Sequence, residues 1–306
     1  MVQIALFTVA TMLVYAIPGF LMAKAKLVKK EAISAFAVLL TYVCQPCLSV
    51  YAFEGVEFNL SFIIRMLIFG GIIFLAIGIM LGGAYLVLRK KQAEPKYRIA
   101  ALASGFGNFT FMGIPIIEAL IPSATEEKVF ATIAFLASSC LTWTVGSAII
   151  ARDTRYCKIS KIFLNPGTIS FAVAIIFSTF NITLPSILSD AIALVGKMAT
   201  PICMLIMGMR LGFMKAAALF TKPTVYLSMA TKQIVMPLVG LLILLIIPVP
   251  TSLKLTFYIM CCTPVASNVL NFAEMLGEGM EEAANTVLLS TISSVLTLPL
   301  MMFIAP

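Results

Sequence analysis

Long apolar runs separated by short polar stretches set the pattern of this chain. A helix needs ~20 apolar residues to cross a bilayer. Ten runs qualify: 3–23, 33–53, 61–88, 98–121, 127–150, 164–183, 187–211, 223–248, 253–276 and 283–305. No polar stretch between them exceeds about fifteen residues, far below the ~50 of a folded domain. The predicted fold class is an all-α polytopic membrane protein of ten transmembrane helices. Ten runs divide into two fives. The basic stretch 152–164 between them leads into Asn165-Pro166-Gly167, a turn signal that opens the sixth run. Because five is odd, a second unit (165–306) enters the membrane inverted relative to the first (1–151), with 152–164 as a cytoplasmic linker.

Two runs contain residues that a plain anchoring helix avoids. Ser104 to Leu120 reads SGFGNFTFMGIPIIEAL, with Gly105, Gly107 and Gly113, the polar Asn108 and Thr110, and Pro115. Glycine weakens a helix, and proline removes an amide and clashes with the preceding turn, so the fourth run is expected to break near the bilayer centre. The ninth run holds Thr263 to Asn271, TPVASNVLN. Freed backbone groups are tolerated at that depth only when buried in protein or lining a wet cavity. Interruptions at equal ordinal positions in two halves point at a binding site. A weaker echo links Gln45-Pro46-Cys47-Leu48 in the second run to Thr200-Pro201-Ile202-Cys203 in the seventh.

Composition supports the membrane setting: 61% of residues are hydrophobic, 11% are charged and histidine is absent. The net charge of +8 does not signal nucleic acid, because 16 of the 21 Lys and Arg residues fall in short loops between apolar runs. The loops 24–30, 89–98, 152–161 and 210–222 are the basic ones. The positive-inside rule makes them cytoplasmic, which puts both termini outside an inner (cytoplasmic) membrane. The loop 277–285, GEGMEEAAN, has no basic residue although alternation places it inside. The first run has no basic segment before it, so it is read as a span and not as a signal peptide. Among the seven cysteines, Cys44 and Cys47 form a CxxC motif, but it lies within a run and has no histidine to assist it; ordinary buried cysteines are expected. The chain has no P-loop signature and no Ser/His pair or histidine metal cluster, so neither an enzyme nor a bound cofactor is expected.

Several motifs together carry a family resemblance. Asn108 to Ile116 (NFTFMGIPI) with the following Glu-Ala-Leu, Cys140 to Trp143 (CLTW), the Asn165-Pro166 start, Phe272-Ala273, and Ser290 to Leu300 (STISSVLTLPL) resemble the auxin efflux carrier family. Its bacterial members are often described as malate or malonate permeases. The resemblance runs from the first run to the last. It implies two inverted five-helix repeats, a scaffold half and a transport half, with helices four and nine broken and crossing at the substrate site. It further implies alternating-access transport of small organic anions, mono- or dicarboxylates, and suggests a homodimer in the lipid bilayer.

Candidate site residues cluster at the two breaks. At ~1.5 Å per helical residue, Asn108 lies ~15 Å into the fourth run, close to the midplane. Two readings are open for it: its amide contacts the substrate, as the family picture has it, or it caps a broken half-helix. Thr110, Gly113 and Pro115 belong to the same break, with Pro115 in the first turn of a new half-helix whose free amides suit a carboxylate. Pro264, Ser267, Asn268 and Asn271 are the counterparts in the ninth run, and Gln45 beside Pro46 is a candidate to line the cavity. Lys197 and Lys232 both have backbones near the midplane, where an unpaired ammonium is costly. Each either attracts an anion, or snorkels or pairs with a distant carboxylate such as Glu118 or Asp190. Lys197 departs from the plant carriers, which have an acidic residue near this place. Lys232 is on a helix that could belong to the scaffold half. Arg65 is expected to reach the interface, and Trp143 and the methionines to serve packing. For the coupling ion, Na+ and H+ both stay open.

Overall fold

A computed structural model of the chain describes residues 1–152, 159–180, 182, 184–214 and 219–306. The core of the expected linker, 153–158, and part of the 210–222 loop lie outside the described residues. The helices are α1 (Val2–Lys24), α2 (Ala32–Ala52), α3 (Leu60–Lys91), α4 (Pro95–Ala103), α5 (Gly113–Leu120), α6 (Glu126–Ile150) and α7 (Ile159–Phe163). They continue with α8 (Pro166–Thr179), α9 (Ser186–Phe213), α10 (Pro223–Ile246), α11 (Thr251–Cys262), α12 (Asn268–Leu276) and α13 (Met280–Ile304). Among the described residues, seven helices (α1, α2, α3, α6, α9, α10 and α13) are long and apolar enough to cross a membrane. The run 98–121 is instead the pair α4 and α5, the run 253–276 is the pair α11 and α12, and the run 164–183 holds the 14-residue α8. The exposed surface carries large apolar side chains such as Phe7, Leu67, Val87, Ile187, Leu245 and Phe303, as a lipid-facing belt requires.

Prolines account for four irregular turns inside the long helices, while the π-turn Thr142–Gly146 in α6 has no proline beside it. Pro46 lacks the amide that would bond Tyr42, and the turn Leu40–Cys44 widens to a π-turn. Pro237 does the same to Gln233, and the π-turn there is Thr231–Val235. In α1 the ladder breaks at Tyr15, three residues before Pro18; in α9 it breaks at Met198, three before Pro201. A proline deletes one ladder bond and crowds the carbonyl four residues back, so a local break or wide turn is the expected response. Asn165 caps α8, its side chain accepting from the Gly167 amide at 2.9 Å with Pro166 following it, as the turn signal predicted.

The helices pack as two groups, each drawing on both halves of the chain. One contains α1, α2, α8 and α9; the other surrounds the broken helices and contains α3, α4, α6, α10, α11 and α13. The tightest joint of the first group is α1 against α9. A Cβ built at Gly208 would stand 1.8 Å from the Ala16 carbonyl oxygen, and one at Gly19 would stand 2.1 Å from that of Leu205. Gly208-x-x-x-Gly212 on α9 is thus a small-residue seam that lets two backbones touch, the usual device where lipid removes the hydrophobic drive for association.

The ends of the molecule are tied by ions. At one end Arg65 holds Glu126 through two bonds of 2.9 and 2.5 Å, so it is engaged in a fork rather than simply reaching the interface. At the other end the acidic loop lies against the basic ones. Glu278 pairs with Arg98, Glu274 with Arg210 at 2.7 Å, and Glu281 and Glu282 with Lys222 at 2.9 and 3.0 Å. Burial opposes the charge on Lys222, but its hydrogen bonds to Glu281 and Glu282 outweigh that and raise its pKa. The loop without basic residues therefore sits at the basic end, where alternation placed it. Gly208→Leu should force α1 and α9 apart at a cost on the order of 2–3 kcal/mol. The check is a clear fall in the detergent melting temperature, with Gly71→Leu, which meets nothing within 4 Å, as the tolerated control.

Candidate functional site

Backbone hydrogen bonding inside a membrane must be completed by protein, and the two breaks complete each other. Residues 104–112 and 263–267 run past one another as a short antiparallel bridge between Gly107 and Val265. The Asn108 amide donates to the Pro264 carbonyl at 2.8 Å, and the Ala266 amide to the Phe106 carbonyl at 2.9 Å. The Val265 amide donates to Ser290 Oγ on α13 at 3.2 Å. Such close passage demands glycine: a Cβ at Gly107 would stand 2.4 Å from Thr263 Oγ1, and one at Gly113 2.7 Å from Met260 Cε. From the other helix group, Thr200 Oγ1 donates to the Phe111 carbonyl at 2.6 Å.

Lys232 completes the crossing. It projects from the π-turn of α10, is 0% exposed, and its Nζ donates to the carbonyls of Cys261 at 2.9 Å and Thr263 at 2.6 Å. These carbonyls close the C-terminal end of α11, where a positive charge meets the negative end of the helix dipole. The expectation that it snorkels or pairs with Glu118 or Asp190 does not hold, because its ammonium is buried on these two carbonyls. The π-turn and Pro237 aim it inward, and carbonyls freed by the break take the place of a carboxylate. It also belongs to a helix packed with the broken ones, not to the other group.

Two cavities flank the crossing, both between the two helix groups. The first, of about 400 Å³, lies toward the end bearing Arg65 and Glu126 and is lined in part by Tyr51, Pro115, Glu118, Lys197 and Thr200. Tyr51 donates to Glu118 Oε1 at 2.7 Å. Its ring lies beneath two ammoniums, Lys128 Nζ at 4.3 Å and Lys197 Nζ at 4.6 Å from the centroid. Lys197 thus shares a cavity with Glu118 but contacts the tyrosine face rather than the carboxylate, and it makes no ion pair among the described residues. The second cavity, of about 290 Å³, lies toward the basic end. Its polar lining is Thr41, Gln45, Ser139, Thr142, Asn165, Asn268 and Asn271, all neutral.

The structure brings the sequence candidates to one region but not into one pocket. Gln45, Asn268 and Asn271 line the second cavity, and Pro115 and Lys197 line the first. Asn108 and Thr110, 5% and 2% exposed, lie in the partition between them. Thr110 Oγ1 donates to Gln45 Oε1 at 3.3 Å, while Gln45 Nε2 is buried without a hydrogen-bond partner among the described residues, and Ser267 lies beside the Cys203 thiol. Asn108 acts through its backbone at the bridge, its side chain lying beside the buried Cys203. Pro264 contributes its carbonyl and Gly113 its lack of a side chain. Sequence reasoning missed Lys128, Tyr51 and Thr200. Lys128 left a signal as a lysine just inside the fifth apolar run, and Thr200 opens the motif that echoes Gln45-Pro46.

Comparison with known proteins agrees with this architecture. A family model described as a membrane transport protein matches residues 4–163 and 155–302. No curated protein gives a significant match. With the model covering nearly the whole chain, and with the crossing built from the motifs that carry the resemblance, this chain belongs to the auxin efflux carrier family of membrane transport proteins.

Proposed function

We propose that the protein is a secondary active carrier that moves small organic anions, mono- or dicarboxylates, across the cytoplasmic membrane by alternating access. The observation that carries this reading is the pair of cavities on opposite sides of one crossing, each lying between the same two helix groups. A rocking of one group against the other would close one cavity as it opens the other, with the crossing as the fixed partition. The ten runs fit that plan as two inverted repeats, with the shorter and broken helices completing the spans.

The chemistry of the cavities favours an anion. The second has no carboxylate in its lining, and it offers the unpartnered Gln45 amide donor and the first turn of α12, at Asn268 and Asn271. Helix N-terminal amides and neutral side-chain donors bind carboxylates without burying a countercharge. The first cavity supplies Lys197, with Lys128 across the Tyr51 ring, as an attractive entrance. A monocarboxylate or short dicarboxylate fits either volume.

Purified protein in proteoliposomes should take up labelled malate or malonate with saturable kinetics. Hydrogen bonds to charged groups contribute about 1.5–3 kcal/mol, so Gln45→Ala should lower kcat/KM by roughly 10- to 100-fold. Folded, correctly inserted protein that moves neither these acids nor indole acetate would remove the anion reading. Orientation is tested separately in cells with a membrane-impermeant maleimide. Ser123→Cys should label from outside, whereas Leu27→Cys should label only after permeabilisation; the reverse pattern would invert the topology.

A further inference from the structure

In carriers with broken helices, unwound backbone carbonyls and the C-terminal ends of half-helices coordinate the coupling cation. The crossing of this chain contains such a set of oxygens, the carbonyls of Cys261 and Thr263 at the end of α11, and both already hold a cation, the Lys232 ammonium. That group is wholly buried and has no carboxylate partner among the described residues. Its Cε packs against the second strand of the crossing, 3.1 Å from where a Cβ on Gly107 would stand, and Phe109 of that strand faces its Nζ at 5.9 Å from the ring centroid. Both breaks therefore close around one side chain from α10.

We infer that Lys232 is a tethered cation filling a monovalent-cation site at the crossing, so that the carrier binds no Na+ there and needs none. An ammonium delivers one positive charge and directed N–H donors to the same carbonyls that would otherwise desolvate a metal ion. Being covalently attached, it pays no translational entropy on binding and cannot dissociate during a transport cycle. The tether thus keeps the amine at the crossing, and an imposed Na+ gradient has no site here through which to drive a substrate. Removal of the side chain beyond Cβ leaves the Cys261 and Thr263 carbonyls without their donor in a cavity of the size the ammonium filled. A free alkali cation is the ligand that such a site would take.

Na+-independence of transport rests on the carrier reading, so the test is one of cation binding and stability, which reads the site whether or not carboxylates move. Purified wild-type protein in detergent should melt at the same temperature in NaCl, KCl and choline chloride, and should retain no radioactive Na+ on a filter. Lys232→Ala should melt lower in choline chloride and recover several degrees in a saturable manner as NaCl or KCl replaces it. Lys232→Gln, which can still donate to one carbonyl, should recover less. Saturable Na+ binding to the wild type, with a rise in its melting temperature, would overturn the assignment. So would a folded Lys232→Ala protein that is indifferent to Na+ and K+. Should Lys232→Ala fold in none of the salts, the wild-type measurements decide the question alone.

Discussion

A broken helix inside a bilayer leaves amides and carbonyls that lipid cannot satisfy, and every distinctive feature at the centre of this protein answers that constraint. Each break uses the other: Asn108 to Pro264 and Ala266 to Phe106 are the bonds of a two-residue sheet where no sheet is otherwise present among the described residues. What the bridge leaves over is taken by side chains from neighbouring helices. Ser290 accepts from Val265, Thr200 donates to Phe111, and the Lys232 ammonium holds the carbonyls at the end of α11. Gly107 follows from the same geometry, since a Cβ there would stand 2.4 Å from Thr263 Oγ1.

The crossing also decides where space can exist. Because α5 leaves toward one end and α12 toward the other, each break widens into a cavity on its own side, and the bonded backbone between them is a wall. The cavities differ in chemistry: one has Lys197 over the Tyr51 ring with Glu118 nearby, and the polar groups of the other are all neutral. Both lie between the helix groups and not within either. The bonds between the two breaks, Asn108 to Pro264 and Ala266 to Phe106, lie on one side of that boundary, whereas the bond from Thr200 to Phe111 spans it.

Hydroxyl and amide side chains elsewhere obey the same rule at lower stakes. Thr8, Thr11, Thr132, Thr142 and Ser228 return their hydroxyls to the carbonyl four residues earlier, which hides a donor within the helix at the bilayer depth. Against that background the buried Gln45 Nε2 stands out, because it finds no partner among the described residues although it lies beside the crossing.

Much of this was legible in the sequence. Apolar run length gave the membrane class, and the Gly, Asn and Pro content of 104–120 and 263–271 located both breaks, because these are local properties of backbone freedom and missing amides. Basic loops marked one end, and the turn signal at Asn165-Pro166 opens a helix, which Asn165 caps. Charge pairing was not legible in this way. The acidic loop at 277–285 found Arg98 and Lys222, up to 180 residues distant, Glu274 just before it found Arg210, and Lys232 found carbonyls instead of a carboxylate. Sequence places a residue at a depth, but the direction in which its side chain points depends on how a π-turn rotates the helix and on which helix lies opposite. Tertiary packing alone therefore decided that Lys232 closes the crossing, that Asn108 sits in the wall while Gln45 lines a cavity, and that Lys128 joins Lys197 over Tyr51.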